Sequence, residues 1–448
     1  MDRLFGTDGV RGVVNRNPMT ADFATKLGMA CGTEICKVYR KVAIARDTRI
    51  SGEMLQSALT AGFLASGVDV IELGVLPTPA LTAVTADLQV DMSVMITASH
   101  NPYYDNGIKL INANGDKFDD ETTTRLEQLV TEGSFELSSE LLGRISTYNE
   151  ALVMYLEKAK SFIDEPRPLK GMRVVLDCAN GCFSEIMPQV FKDLGAGVIA
   201  LGDEPDGYNI NRDCGSQHPE KLYETVVGAH ADIGIAVDGD GDRLLVCDNN
   251  GQKIAAEQIM AFLAGYLKNK GKYRGNAVVS TIIANTALER YIRSLGFDYY
   301  STKVGERAII AKMQETGCSL GGEESGHIVA LDYCKSGDGM VNALLVCLAL
   351  AESGKKMSEV FPVFAADACI FVSVAVADRM MVSRAASSDE IKQAVVKAEN
   401  VLGGTGRVVL HPSGTEPKIR VWVSGSDEIL VRKASDMVVS EVKKFVEE

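Results

Sequence analysis

Asp91-Met92-Ser93-Val94-Met95-Ile96-Thr97-Ala98-Ser99-His100-Asn101-Pro102 passes from an apolar run to a polar cluster within a dozen residues. The run ending at Ile96 reads as a buried strand. The polar residues after it are closed by Asn101-Pro102. They are reopened at Asp105-Asn106-Gly107-Ile108-Lys109, so the segment reads as an ordered turn. Turns at strand ends of α/β sheets are where ligands usually sit, which makes Ser99 the candidate nucleophile. A Ser/His hydrolase pairing with His100 is set aside. Neighbouring extended residues point to opposite faces, and no G-x-S-x-G elbow surrounds the serine.

Working outward, Lys41 to Arg49 reads as a strand ending in charges. Ser51 is placed to cap a helix with an apolar stripe through Met54, Leu55, Ala58, Leu59 and Gly62, stopped by Gly67. Val68 to Gly74 is the next strand. The same strand–helix–strand order recurs over Met172 to Gly202 and over Ala277 to Lys303. Three such units suggest three related α/β domains, expected at residues 1–160, 161–251 and 252–366. The remainder, 367–448, reads strand, helix, strand, strand, helix, and is expected to be an α+β domain. The opening Phe5-Gly6-Thr7-Asp8-Gly9-Val10-Arg11-Gly12 reads as a glycine-shaped loop that presents Arg11.

Bulk properties narrow the partners. The 448 residues carry 46 Lys and Arg against 60 Asp and Glu, a net charge of −14. That argues against nucleic acid or an anionic membrane as the main partner. No apolar run approaches a membrane span, and the N-terminus lacks a signal-peptide core, so a cytoplasmic protein is expected. The ten cysteines include no C-x-x-C and read as reduced thiols.

Three further constellations carry chemistry. Asp238-Gly239-Asp240-Gly241-Asp242-Arg243 lies between two apolar strands. Three carboxylates there need a cation, because repulsion and desolvation would otherwise be severe. Oxygen-only ligands suggest Mg²⁺ or another hard cation. An EF-hand is excluded, since its sixth-position Gly is Arg243 and its twelfth-position Glu is Asn249. Gly321-Gly322-Glu323-Glu324-Ser325-Gly326-His327 offers an acceptor in Glu323 and a donor in Ser325 for sugar hydroxyls, with His327 as a proton carrier or a structural residue. His411-Pro412-Ser413-Gly414-Thr415-Glu416-Pro417 with Arg420 forms a nest suited to phosphate. A nucleophile, a divalent metal, a hydroxyl-reading loop and a phosphate clamp are what phosphoryl transfer requires.

These four motifs, in this order, resemble the α-D-phosphohexomutase superfamily across essentially the whole chain. The stretches Phe5–Gly12, Asn209-Ile210-Asn211, Cys214-Gly215-Ser216 and Thr302-Lys303-Val304-Gly305 resemble its bacterial branch that works on glucosamine phosphates. The resemblance implies three similar α/β domains with mixed sheets flanked by helices, plus the C-terminal α+β domain, around a central cleft. It also implies conversion of glucosamine 6-phosphate to glucosamine 1-phosphate for UDP-N-acetylglucosamine and peptidoglycan synthesis. The route would run through phosphoserine at Ser99 and a glucosamine 1,6-bisphosphate intermediate. Ser99, Asp238, Asp240 and Asp242 would hold one Mg²⁺, with Lys109, Arg11 and His100 at the reacting phosphate. Arg243, Lys303, Glu323, Ser325, His327, His411, Ser413, Gly414, Thr415 and Arg420 would bind the substrate, an amino-sugar phosphate. A homodimer, and priming of Ser99 by a kinase or a sugar bisphosphate, are further expectations of the resemblance. Alternatives are a phosphomannomutase/phosphoglucomutase and, more remotely, a metal-dependent sugar phosphatase. Two residues depart from the superfamily pattern: Glu324 stands where Gln is usual, and His411 where Arg is usual.

Overall fold

The computed structural model describes residues 4–6, 8–135, 137–412 and 418–447. The first sheet uses β1 (Val10–Val13), β2 (Lys41–Arg46), β3 (Asp69–Val75), β4 (Met92–Ile96), β5 (Asp105–Asn112) and β6 (Ile145–Thr147). Helices α1 (Ala21–Glu34), α2 (Ser51–Ala65), α3 (Thr78–Val84), α4 (Asp120–Glu132) and α5 (Ala151–Ala159) accompany it. Strand order is β1-β5-β4-β2-β3-β6, with β4, β2, β3 and β6 parallel and β5 antiparallel to β4. Every residue of β4 is buried, as expected of a central strand covered on both faces.

Three expectations for this region are corrected. Asp105 to Lys109 is the start of strand β5, not part of a turn. Its Gly107 packs so closely that a Cβ would lie 2.5 Å from the Thr97 carbonyl oxygen and 2.8 Å from that of Val10. Arg11 sits on edge strand β1, paired with Gly107, because burying Val10 in the core extends the opening loop into the sheet. Ser51 does not cap α2; its hydroxyl instead accepts from the Asn106 amide at 2.8 Å, tying that helix to β5.

The second sheet runs β11-β10-β9-β7-β8, from β7 (Arg173–Asp177), β8 (Gly197–Leu201), β9 (Ile233–Val237), β10 (Leu244–Asp248) and β11 (Lys253–Ile254), with α6 (Ile186–Asp193) and α7 (Glu220–Gly228). The third runs β13-β12-β14-β15, from β12 (Ala277–Thr281), β13 (Asp298–Thr302), β14 (Leu320–Gly322) and β15 (Ile328–Ala330). Around it lie α8 (Ala256–Asn269), α9 (Thr286–Ser294), α10 (Glu306–Thr316), α11 (Gly339–Ser353) and α12 (Met357–Val360).

The three sheets repeat one plan. A parallel strand pair (β2/β3, β7/β8, β12/β13) is joined by a third parallel strand (β4, β9, β14), whose next neighbour is antiparallel (β5, β10, β15). In each case the segment linking the last two strands carries one of the motifs: Thr97–Pro102, Asp238–Arg243 or Glu323–His327. One hydrophobic core runs through all three units, from Ala43 and Leu81 through Leu176 and Val237 to Val278 and Leu344. Helix α11, buried from Gly339 to Leu350, is apolar on every side because it lies inside that core.

The last unit has its own core. It comprises β16 (Ala368–Ala375), α13 (Arg379–Ser387), α14 (Asp389–Leu402), β17 (Gly406–Pro412), β18 (Lys418–Gly425) and α15 (Glu428–Glu447), with sheet order β16-β18-β17. Helix α13 is absent from the sequence reading. It ends one residue before Ser388, which caps α14, so two short helices read as one approach to a helix. The unit docks on α9: Arg407 pairs with Glu289 at 3.0 Å, and Arg290 with Asp367 at 2.6 Å. All ten cysteines are free, and among the described residues no helix is long and apolar enough to cross a membrane.

Candidate active site

Ser99 follows β4 and adopts a left-handed backbone, φ 54°, which is uncommon for a residue with a side chain and needs support from its surroundings. Its N–H donates to Thr97 Oγ1 at 2.9 Å, and that hydroxyl donates to Asp47 Oδ2 at 2.6 Å. Its carbonyl accepts from Arg49 at 3.0 Å and from the Asn211 amide at 2.9 Å. The turn also corrects the geometry expected of His100. Ser99 is not extended, so the two side chains share a face, with Oγ 3.3 Å from His100 Nδ1. Burial, then Arg243 and Arg11, push that imidazole down to about 4, which keeps it neutral near pH 7.

The Ser99 hydroxyl donates to Asp238 Oδ2 at 2.5 Å. Asp238, Asp240 and Asp242 are all buried and offer oxygens within 4.8 Å of one another. Burial, and then repulsion from Asp242 and Asp240, raise the Asp238 carboxyl well above the usual range. Lys109 Nζ donates to Asp240 Oδ2 at 2.6 Å and to Asp242 Oδ2 at 3.0 Å, and the Thr78 hydroxyl meets Asp240 Oδ2 at 2.5 Å. Burial opposes the charge on Lys109, yet Asp240, Asp242 and Asp8 outweigh it and hold the amine as ammonium. Asp240 Oδ1 and Asp242 Oδ1 are buried without a hydrogen-bond partner among the described residues. Three converging carboxylates with two orphan oxygens fit a hard divalent cation.

Two guanidinium groups flank this cluster. Arg11 bonds Asp8 through Nη2, and its Nε is buried without a hydrogen-bond partner among the described residues. Arg243 donates its backbone N–H to Asp238 Oδ1 at 3.2 Å, and its Nε likewise has no hydrogen-bond partner among the described residues. Buried donors with nothing to satisfy them suit an incoming anion.

The Glu323–His327 turn closes the β14–β15 hairpin. Glu323 accepts from Ser325 Oγ at 2.8 Å and from Gly305 N at 3.3 Å. Lys303, exposed, lies two residues before that glycine. Glu324 meets solvent, but protein crowding its carboxyl, and then the charge of Glu323, push it up to about 7. His327 does not join Glu323 and Ser325 at the surface: it is buried, with Nε2 2.6 Å from Glu306 and Nδ1 3.8 Å from Asp242. Burial opposes protonation, but Glu306 and Asp242 raise its pKa well above the ordinary value, which suits a fixed charge better than a proton carrier near neutrality.

His411 and Arg420 face one another in register across β17 and β18, on a different sheet from Ser99. Burial, then Arg420, lower the His411 imidazole. Ser413, Gly414 and Thr415 lie outside the described residues.

Family models described as phosphoglucomutase/phosphomannomutase alpha/beta/alpha domains I, II and III match residues 2–137, 153–251 and 255–365, and that of the C-terminal domain matches 372–441. The phosphoglucosamine mutase of Paramagnetospirillum magneticum is 42% identical over 446 residues, 99% of each chain. The chain belongs to the phosphoglucosamine mutase family. That of Maricaulis maris is 43% identical over 441 residues, 97% of each chain. Among solved structures, a phosphoglucomutase/phosphomannomutase family protein of Burkholderia thailandensis matches with TM-score 0.81 at 24% identity, over 99% of this chain and 98% of that one. The N-acetylphosphoglucosamine mutase of Aspergillus fumigatus matches with TM-score 0.66 at 18% identity, over 99% and 96%, and shares the fold. Like the other phosphohexomutases, this chain is an isomerase that works by phosphoryl transfer.

Two groups of residues in this phosphohexomutase escaped the sequence reading. Arg49, fully buried, donates to the carbonyls of Ser99, Asn101 and Pro102 at 2.8–3.0 Å and pairs through Nε with Asp47 at 3.0 Å. It is the scaffold of the serine turn. The available signal was a pair of opposite charges at the end of a buried strand. The second group is Asp8, Lys117 and Glu306. They floor a cavity of about 230 Å³ between α4 and α10, on the side of Lys109 where neither Ser99 nor Arg243 forms the lining.

Proposed function

We propose that the protein interconverts glucosamine 6-phosphate and glucosamine 1-phosphate through a phosphorylated Ser99. The observation that carries this reading is the Ser99 hydroxyl set at 2.5 Å on Asp238, within a buried three-carboxylate cluster. The name shared by the full-length relatives supports the substrate.

Asp238, Asp240, Asp242 and an oxygen on Ser99 would hold Mg²⁺, which when bound neutralises charge on the transferring phosphoryl group. The chain's own residues do the rest. Arg11 and Arg243 bring unsatisfied N–H groups to the phosphate oxygens. The free sugar hydroxyl oxygen bonds to phosphorus as the Ser99 Oγ–P bond breaks. The hydroxyl proton ends on Ser99 Oγ, while the Lys109 ammonium, held by Asp240 and Asp242, keeps a fixed positive charge at the cluster. Glucosamine 1,6-bisphosphate then reorients and returns its other phosphate to Ser99. Glu323 and Ser325 orient the sugar hydroxyls, with Lys303 beside them. Arg420, His411 and the Ser413–Thr415 loop grip the phosphate that is not reacting. Glu324 places an extra carboxylate next to Glu323, where an ammonium group on the sugar would be favoured.

Intact mass before and after phosphatase treatment tests the reaction class: one phosphate localised to Ser99 is expected. Incubating dephosphorylated protein with a sugar bisphosphate or with a kinase distinguishes the two sources of priming. Side-by-side turnover of glucosamine, glucose and mannose 1-phosphates tests the substrate, and a clear preference for either neutral sugar overturns it.

A further inference from the structure

We infer that Glu306 is a positioning residue for the reaction, locking a closed ring of alternating charges that orients the metal-binding carboxylates from behind. The inference rests on the reading of Asp238, Asp240 and Asp242 as the cation site and deepens it.

The ring is continuous. Lys109 Nζ lies 3.0 Å from Asp242 Oδ2, and Asp242 Oδ1 faces His327 Nδ1 at 3.8 Å. His327 Nε2 is 2.6 Å from Glu306 Oε1, and Glu306 Oε2 is 2.5 Å from Lys117 Nζ. Lys117 Nζ is 2.7 Å from Asp8 Oδ1, and Asp8 Oδ2 returns to Lys109 at 3.4 Å. Cation and anion alternate at every step. The members come from all three α/β units: Asp8, Lys109 and Lys117 from the first, Asp242 from the second, Glu306 and His327 from the third.

Glu306 is a joint held on several sides. It opens α10, is buried, and its Oε1 also accepts from Gly337 N at 3.1 Å. His327 Nε2 is held between Glu306 Oε1 at 2.6 Å and the Gly337 N–H at 3.2 Å, which keeps the ring oriented with Nδ1 toward Asp242. Through Lys117, the same carboxylate holds Asp8 in place beside Lys109. Groups that orient a metal ligand without touching the metal typically change affinity or activity by about 10–100-fold when removed. Loss of the Glu306 charge also leaves Lys117 and His327 with one anion fewer, which adds positive charge behind the cation site.

The test uses the full chain and Mn²⁺ as the probe. Titration calorimetry measures its dissociation constant for wild type, Glu306→Gln, Glu306→Asp and Arg307→Ala, alongside kcat, KM and melting temperature. Arg307→Ala removes the 2.8 Å bridge to Asp120, which joins α10 to the start of α4 next to the Glu306–Lys117 contact. Glu306→Gln is expected to weaken Mn²⁺ binding and lower kcat, each by about 10–100-fold, with KM within about twofold and partial rescue in Glu306→Asp. Arg307→Ala is expected to lower the melting temperature and leave Mn²⁺ affinity and kcat unchanged. If Glu306→Gln does not fold, Lys117→Gln opens the ring at a partly exposed member and carries the same expectation. Unchanged Mn²⁺ affinity in the ring variant, or an equal loss in Arg307→Ala, overturns the inference alone. Wild-type protein that binds no Mn²⁺ overturns the cation site itself, and the inference with it.

Discussion

Ser99 and Asp238 meet at 2.5 Å although they are 139 residues apart, and Gly239 is what permits the approach. A Cβ at that glycine would stand 2.8 Å from the Ser99 carbonyl oxygen and 2.7 Å from Ile210 Cδ1. Gly239→Ala is therefore expected to push the serine turn and the acidic loop apart. Overpacking of this kind costs roughly 1–3 kcal/mol, and a displacement of about 1 Å at reacting groups costs on the order of 10²-fold in rate. Activity near wild type, with a crystal structure showing the alanine accommodated, would refute the argument.

Ser99→Ala should abolish turnover and the phosphate mass while leaving circular dichroism and melting temperature close to wild type. Among the described residues the hydroxyl makes only the Asp238 contact and a long one to His100, so little of the fold depends on it. Full activity in this variant would mean another nucleophile.

Asp238→Asn separates function from stability. Burial and two neighbouring carboxylates penalise the charge at this position when no cation is bound. In chelator the variant is expected to melt above wild type. Turnover should be lost and Mn²⁺ no longer stabilise the protein. A lower melting point in chelator would show that repulsion is not the dominant effect there.

Arg49→Met removes donors to three carbonyls of the serine turn and strands Asp47 in the core. Breaking a buried pair costs about 3–5 kcal/mol, so a large drop in melting temperature is expected. Arg49→Lys, with one ammonium for three acceptors and Asp47, should recover part of the stability but little of kcat. Recovery of full activity with lysine would show that the forked geometry is dispensable.

Glu324, pushed up to about 7 by crowding of its carboxyl and by Glu323, gives the folded state a higher affinity for a proton than the unfolded chain has. Its contribution is therefore fully present below the unfolded carboxylate range, near pH 4.5, and is lost as pH rises through about 7. The side chain meets solvent, so the slope is shallow. Glu324→Gln should flatten stability against pH between those limits and weaken glucosamine phosphate binding more than glucose phosphate binding. A carboxyl carbon titrating near 4.5 by NMR would rule out the first effect, and equal losses for the two sugars the second.

Much of the fold was legible because its signals are local. A strand buried on both faces must be apolar throughout, as Met92 to Ile96 is, and the βα alternation of the three main units follows from helical stripes and stopping glycines. The acidic loop was legible for a related reason, since three buried carboxylates in six residues have few uses besides holding a cation. Helix α13 and strand β1 were missed because short elements carry too few residues to show a period. Their existence depends on the core that Val382 and Val10 enter.

Partner choice was settled only in three dimensions. Nothing near Arg49 in sequence announces that it holds carbonyls about fifty residues away, and nothing near His327 says that it turns inward to Glu306. The residue types that chemistry requires, and their placement at strand ends, are properties of the chain itself. Which charges face one another is decided by packing three sheets on one core, because an ion pair depends on positions in space that sequence spacing does not encode.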